Sequence, residues 1–296
     1  FCSEEAMKAS SNYDVLFGAL ICGGSLLLTA FGYYWRRRVK PLVPRRVVVL
    51  NPVDETSYSR SVMQMLRELF VAAGVSVDLS EVNIREDGNL ASLDFSNYDG
   101  VIIPGSKYAA YDDFAWVTEL KSIIRTLHAT RVPMLGICFG HQIIAEALGG
   151  DGSVVLNSEH GCQAGACFFR ATTNGKTLLE LPDCDVALLY HHNDVVKRIP
   201  EDAVCLGRSA ENPYHAVAYN ECHTSGRPSI ITFQAHPEFS TTTGKKVLKQ
   251  IILSRDKPKF GSDWASDRVG SIGMEGKSWS LITRRCLDLL FTGGPY

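Results

Sequence analysis

The sequence has 296 residues, a formal net charge of −2 and 21% charged side chains. This length suits one large domain or two small ones, and the balanced charge argues against a nucleic-acid partner. The nine cysteines include no C-x-x-C pair and have no regular spacing. This pattern argues against a zinc ribbon or a disulfide framework and favours a reducing compartment, the cytoplasm.

The N-terminal residues 1–44 form a leader that differs in character from the remainder of the sequence. Residues 15–35 carry no charged side chain, and three arginines follow at 36–38. About 20 apolar residues span a bilayer, so this run predicts a transmembrane helix, and the basic residues behind it would leave the rest of the chain facing the cytosol. A leader without a membrane function, or a cleaved signal peptide, is the alternative.

From residue 45 onward, short apolar runs alternate with amphipathic helical patterns. Predicted strands cover 45–50, 75–79, 98–104 and 132–137, and predicted helices cover 58–73, 114–127 and 139–148. Alternating elements with short connections predict an α/β fold with a doubly wound, mostly parallel sheet. Further short strands at 153–156, 166–171, 186–190, 204–208, 215–219 and 229–234 predict a small antiparallel extension, followed by a helix over 239–253. We assign this domain to residues 45–255 and a C-terminal extension, with one helix around 279–291, to residues 256–296.

The sequence Gly136-Ile-Cys138-Phe-Gly140 lies between a predicted strand and a predicted helix. It has the form G-x-C-x-G, the thiol counterpart of the nucleophile elbow, in which small flanking residues let a strained turn expose the nucleophile. Backbone N–H groups and the dipole of the following helix favour a thiolate at this position. An inert buried cysteine is the alternative interpretation. We predict that Cys138 is a nucleophile.

A second group of polar residues, His236-Pro-Glu238, follows the last strong predicted strand. A cysteine nucleophile needs a base that accepts its proton, and histidine is suited to this near neutral pH. A carboxylate then fixes the tautomer of the imidazole. A packed core histidine is the alternative. We predict that His236 is the base and that Glu238 orients it.

The segments 136–142 and 234–238 closely resemble the two signatures of class I glutamine amidotransferases. The resemblance extends over roughly Val47 to Leu253, with both signatures in the expected order. It implies a flavodoxin-like fold, a Cys-His-Glu triad and attack on the γ-amide of glutamine or a γ-glutamyl compound through a glutamyl-thioester. It implies neither a cofactor nor a metal.

The same resemblance suggests which residues contact the substrate. The segment 104–113 is similar to the family's oxyanion strand, which implies that the backbone N–H groups of Gly105, with Ser106 adjacent, and of Phe139 hold the oxyanion. Gln142 matches a position that contacts bound glutamine. The stretch Tyr190-His-His-Asn-Asp194 resembles a loop that lines the site, so a structural or substrate-proximal role is expected for its histidines rather than metal ligation.

Three functions remain open on the sequence. Residues 108–116 are similar to a stand-alone branch that includes the γ-glutamyl peptidases, which favours a hydrolase acting on glutamine or a γ-glutamyl peptide. The first alternative is a glutaminase subunit that supplies ammonia to a separate synthase partner, since no phosphate-binding loop follows Leu253. The second is a non-enzymatic redox protein of the DJ-1 type, against which the His236–Glu238 pair argues.

Overall fold

The structure is a computed structural model that describes residues 44–53, 56–85, 90–157, 159–181, 185–219, 227–276 and 278–292. The transmembrane prediction at 15–35 lies outside these residues. Within the described ranges, no helix is both long enough and apolar enough to cross a bilayer.

Eleven strands are found in the described part of the chain. They are β1 (Arg45–Asn51), β2 (Val77–Asn83), β3 (Gly100–Ile103), β4 (Met134–Ile137), β5 (Val154–Leu156), β6 (Gln163–Ala171), β7 (Asp185–His192), β8 (Asp194–Val196), β9 (Ala203–Arg208), β10 (Ala216–Tyr219) and β11 (Ile230–Phe233). Nine form one sheet in the order β2-β1-β3-β4-β11-β10-β9-β6-β7, and β5 pairs with β8 separately.

Eight α-helices accompany these strands within the described ranges. They are α1 (Thr56–Ala73), α2 (Ala115–Ala129), α3 (Phe139–Gly149), α4 (Thr173–Leu179), α5 (Thr242–Ile251), α6 (Lys257–Phe260), α7 (Ser262–Ser271) and α8 (Ser278–Leu287). A 3₁₀ turn at Pro237–Ser240 precedes α5, and π-helical turns follow α5 at Ile252–Asp256 and α8 at Asp288–Thr292.

The predicted doubly wound sheet is confirmed. The pairs β1–β2, β1–β3, β3–β4 and β4–β11 are all parallel. Beyond β11, the strands β10, β9, β6 and β7 continue the sheet in antiparallel order. The antiparallel extension therefore belongs to the main sheet, whereas the β5–β8 ribbon forms a separate two-stranded sheet.

Side-chain alternation along β1 shows why both faces of the sheet are covered. Val47 and Val49 point to one face and join a core cluster with residues of α1, whereas Val48 and Leu50 join a second cluster with residues of α2 and α3. All four are fully buried. A strand that is apolar on both faces is typical of the interior of a parallel sheet with helices on each side.

The predicted strand over 75–79 is wrong in its bounds, because β2 covers Val77–Asn83. The N–H of Val75 donates to the carbonyl of Phe70 at 3.1 Å, and Gly74 has a φ of +70°, so the end of α1 uses these residues. Among the described strands, β2 lies at the edge of the sheet and pairs with β1 alone, and its residues are mixed polar and apolar. Its sequence therefore lacks the continuous apolar run on which the prediction depended.

The C-terminal helix predicted around 279–291 is confirmed, and it packs on the core of the main domain. Ile282, Leu287 and Phe291 are at most 2% exposed and belong to the same cluster as residues of α1. The rings of Phe291 and Phe70 have centroids 6.4 Å apart. The proposed boundary at residue 255 thus separates sequence regions that share one hydrophobic core.

This packing leads to a stability prediction. Phe291→Ala should lower the free energy of unfolding by about 3–5 kcal/mol, because it empties a buried aromatic site against α1. Urea denaturation followed by circular dichroism measures the change. Leu281→Ala is the matched control, because Leu281 lies in α8, just before the turn that holds Phe291, and is 57% exposed. This substitution should change the free energy of unfolding by no more than about 0.5 kcal/mol. Equal effects of the two substitutions would contradict the observed packing.

Candidate active site

Three neighbouring strand ends carry the predicted site residues. β3, β4 and β11 are adjacent and parallel, and Gly105, Cys138 and His236 follow their carboxyl ends. Sites in open α/β sheets lie at this edge. A Cβ atom built on Gly105 would lie 2.6 Å from His236 Cε1 and 3.6 Å from Cys138 Cβ, so the three residues are in contact.

The turn at Cys138 has the strained geometry of a nucleophile elbow. Its φ is +52° and its ψ is −99°, a conformation that costs a non-glycine residue on the order of 1–3 kcal/mol. The turn is held because the Cys138 N–H donates to the Phe233 carbonyl at 2.8 Å. A Cβ on Gly140 would lie 1.9 Å from the Ile103 carbonyl oxygen, and one on Gly136 would lie 2.8 Å from the Gly140 backbone. Both glycines are therefore required for α3 to approach the sheet.

His236 and Glu238 form a buried pair beside this turn. His236 Nδ1 lies 2.7 Å from Glu238 Oε1, and each side chain is 5% exposed. The short turn through Pro237 brings the two side chains together. The His236 ring also stacks on Phe239, with centroids 4.2 Å apart and planes 11° apart. The imidazole is consequently fixed in orientation on two sides.

The charge state of His236 depends on its two neighbours. Burial by itself lowers the pKa of His236, but the negative charges of Cys138 and Glu238 outweigh this and raise the pKa to about 10. A histidine with a raised pKa keeps its proton through neutral pH. The arrangement is therefore suited to an imidazolium that faces a thiolate and can donate a proton to a leaving group.

Two of the predicted oxyanion residues, Gly105 and Phe139, lie beside Cys138, and Ser106 follows Gly105 in the chain. Phe139 is the first residue of α3, so its N–H has no acceptor within the helix, and its ring is buried with its centroid 5.9 Å from that of Trp116. Gly105 lies against Cys138 and His236, as described above. The Ser106 hydroxyl accepts from the Tyr108 N–H at 3.3 Å and shapes the loop that follows Gly105. The donor roles of Gly105, Ser106 and Phe139 stay predictions.

Gln142 is buried and contacts β8, the strand that follows β7. Its Nε2 donates to the Asp194 carbonyl at 2.8 Å and lies 3.3 Å from Gln234 Oε1. The Tyr111 hydroxyl donates to Asp194 Oδ1 at 3.2 Å, and burial followed by the Asp194 charge raises the pKa of Tyr111 to about 12. The substrate contact expected for Gln142 stays a prediction, and the structure adds Asp194 and Tyr111 to its surroundings.

His191 approaches the nucleophile through its backbone. Cys138 Sγ lies 3.7 Å from the His191 carbonyl oxygen and 3.8 Å from Gln234 Nε2. The His191 side chain bonds to Asp256 instead, with Nε2 lying 2.7 Å from Asp256 Oδ2. The resemblance of the stretch 190–194 to a site-lining loop indicated this neighbourhood, whereas no sequence signal indicated Asp256.

The other histidine beside the elbow is bonded within the core. Both ring nitrogens of His141 have partners, Thr232 Oγ1 at 2.8 Å and the Tyr214 carbonyl at 3.0 Å. Burial lowers the pKa of His141 to about 3, so the ring is neutral. Within the described residues, no group of three or more histidine, cysteine or acidic side chains is arranged to hold a metal ion.

A chain with this fold and this cysteine elbow matches one family model. Residues 55–254 match the class I glutamine amidotransferase model, and the chain belongs to that family. Its members are in general glutamine-hydrolysing or amidotransferase enzymes.

Two relatives and one solved structure illustrate the range of the family. γ-Glutamyl peptidase 4 of Arabidopsis thaliana is 30% identical over 196 residues, which cover 66% of this chain and 75% of the relative. A glutamine-hydrolysing GMP synthase of Streptococcus mutans is 27% identical over 84% of this chain but only 44% of its own length. The crystal structure of a glutamine amidotransferase from Thermotoga maritima has a TM-score of 0.64 at 19% identity, covering 83% of this chain and 97% of the other, which confirms the fold.

Proposed function

We propose that this protein is a stand-alone cysteine hydrolase that cleaves the γ-amide bond of γ-glutamyl peptides or of glutamine. The observation that carries the proposal is the contact of Gly105, Cys138 and His236 at three adjacent strand ends, with Glu238 bonded to His236. This arrangement supplies a nucleophile, an oriented proton carrier and nearby backbone donors, as acyl transfer requires.

In the first half of the proposed reaction, the Cys138 thiolate attacks the γ-carbonyl carbon and forms a C–S bond. The N–H groups of Gly105 and Phe139 stabilise the tetrahedral oxyanion, and each such donor lowers the barrier by roughly 3 kcal/mol in comparable sites. The C–N bond then breaks as the His236 imidazolium gives its proton to the departing nitrogen. Ammonia or an amine leaves, and a glutamyl-thioester remains on Cys138.

In the second half, His236 is neutral and accepts a proton from water as the water attacks the thioester. The C–S bond breaks, glutamate leaves, and the thiolate–imidazolium pair is restored. Glu238 stabilises the imidazolium at both stages and keeps Nδ1 protonated, so that Nε2 carries the transferred proton. None of these steps uses a metal or a cofactor.

The relatives support two versions of this activity. The similarity to γ-glutamyl peptidase 4 extends over three quarters of that protein and favours a hydrolase without a partner. The similarity to the GMP synthase extends over less than half of that protein and favours a glutaminase part that supplies ammonia to a separate synthase. We favour the first version because the match covers most of the relative's length.

A release assay on the purified protein separates the two versions. Free amine is followed with γ-glutamyl peptides, and ammonia and glutamate are followed with glutamine. Release from γ-glutamyl peptides by the protein alone is the expected result. Glutamine turnover that begins only when a synthase-containing lysate is added would support the second version. Inactivity toward both substrates, with Cys138 still open to alkylation, would contradict both and favour a redox role.

A pH profile tests the role of Glu238. Its charge contributes to the raised pKa of His236, so Glu238→Gln should lower that pKa. A histidine with a raised pKa stays protonated up to that value, and the rate should therefore fall on the alkaline side only near pH 10 in the wild type. In Glu238→Gln, the alkaline fall of kcat should move to lower pH, together with a large loss of kcat. An unchanged alkaline limb would show that Glu238 does not act on His236.

A further inference from the structure

The segment directly beyond the family match reaches the candidate active site. The match ends at residue 254, and the π-helical turn Ile252–Asp256 continues past it. Asp256 is 3% exposed, and its Oδ2 bonds to His191 Nε2 at 2.7 Å. Because the His191 carbonyl oxygen lies 3.7 Å from Cys138 Sγ, one residue separates this turn from the nucleophile.

Arg255 is the exposed member of this group. Its Nη2 atom lies 3.1 Å from both ring nitrogens of His191, and its Nε lies 3.5 Å from Asp256 Oδ1. The side chain is nevertheless 47% exposed. Burial raises the pKa of Asp256, but the bonds and charges of His191 and Arg255 outweigh this and lower it, so Asp256 is ionised. The carboxylate thus holds the guanidinium in place while solvent still reaches it.

Two further cations act electrostatically on the Cys162 thiol, as Arg255 does. Burial, followed by the Asp256 charge, raises the pKa of Cys162 to about 11, whereas Arg255, Arg268 and Lys259 act on the same thiol in the opposite direction. Cys162 directly precedes β6, whose first residue pairs with the last residue of β7, next to the site. The Nε atom of Arg268 is buried and has no hydrogen-bond partner among the described residues.

We propose that Arg255 binds a carboxylate on the leaving group of the substrate. The preferred substrates are then γ-glutamyl peptides with a free carboxylate, rather than glutamine, whose leaving group is ammonia. This inference rests on the proposed function. A planar guanidinium matches a carboxylate with two parallel hydrogen bonds, and each residue of an extended leaving group carries its carboxylate about 3.5 Å farther from Cys138.

The test compares γ-glutamylglycine with γ-glutamylglycinamide, which lacks the terminal carboxylate. Both substrates carry the same glutamyl group, so the ratio of their kcat/KM values cancels any change in the common chemistry. Their amines differ in basicity, but this difference is the same in every variant. Arg255→Gln should lower the ratio roughly tenfold, the scale of one charge-assisted hydrogen bond. Arg255→Lys should keep part of the preference, because it keeps the charge but not the planar fork.

Two controls make the result specific. Arg170→Gln removes an arginine that is 71% exposed and paired with Asp185 at the far end of β6, and it should leave the ratio unchanged. Raising the ionic strength should lower the ratio in the wild type but have little effect in Arg255→Gln, because exposed charges are screened.

Three outcomes would overturn the inference. An unchanged ratio with unchanged rates in Arg255→Gln would show that this side chain does not recognise the leaving group. An unchanged ratio with an equal loss of rate for both substrates would place Arg255 at the common glutamyl group or in a structural role. If the wild-type protein cleaves neither substrate, both the proposed function and this inference are overturned. If it cleaves both and the ratio is the same in the wild type and in Arg255→Gln, this inference alone is overturned.

Discussion

Cys138→Ser should lower the rate of glutamate release by about 10⁴-fold or more, the scale seen when a catalytic nucleophile is removed. The serine hydroxyl is nearly the size of the thiol, but it is the weaker nucleophile of the two. His236→Ala should have an effect of similar size, because the proton carrier is lost. Release from γ-glutamyl peptides measures the effect, and circular dichroism checks that the fold is kept.

Cys205→Ser is the matched control for this prediction. Cys205 is a half-buried cysteine on β9 whose Sγ contacts the Gly207 and Pro213 carbonyls, interactions that a hydroxyl can also make. This variant should retain wild-type activity. Wild-type rates in Cys138→Ser or in His236→Ala would refute the proposed triad.

Gly105→Ala should lower kcat by about 10²-fold without unfolding the protein, as expected when a catalytic group is displaced by about 1 Å. The new Cβ would lie 2.6 Å from His236 Cε1. The ring cannot move aside at low cost, because Nδ1 is bonded to Glu238 and the ring stacks on Phe239. Steady-state kinetics should show the loss mainly in kcat, since the change affects the proton carrier and the oxyanion donor.

Gly270→Ala provides the comparison for Gly105→Ala. A Cβ at Gly270 meets no atom within 4 Å, and the residue lies in α7, where alanine is the better helix former. Its activity should equal that of the wild type. If Gly105→Ala were as active as Gly270→Ala, the close packing of Gly105 against His236 would have no role in the reaction.

Much of the parallel half of the fold could be predicted from the sequence, because its strands are buried on both faces. β1, β3 and β4 are short apolar runs in the sequence, and the glycines at 136 and 140 predicted the strained turn at Cys138. The prediction failed where burial is partial or the element is short. β2 is a half-exposed edge strand, β8 has three residues, and α4 has seven, so none of them carries a full periodic pattern.

Some residues of the candidate site could likewise be predicted from the sequence, and others could not. Cys138, His236 and Glu238 lie in two short motifs whose residue types indicate a nucleophile, a base and an orienting carboxylate. The two motifs meet because they follow the carboxyl ends of adjacent parallel strands. Asp256 and Arg255 could not be predicted, because they depend on where a π-helical turn meets the end of β7, a tertiary contact with no local signature.

The most direct test of the central claim is rapid-quench mass spectrometry of the wild-type protein during turnover of γ-glutamylglycine. We expect a covalent adduct with the mass of one glutamyl group, on the peptide that contains Cys138, which forms before glutamate is released and is absent from Cys138→Ser. Turnover by Cys138→Ser, or a glutamyl adduct on a different residue of the wild type, would contradict the assignment of Cys138 as the nucleophile.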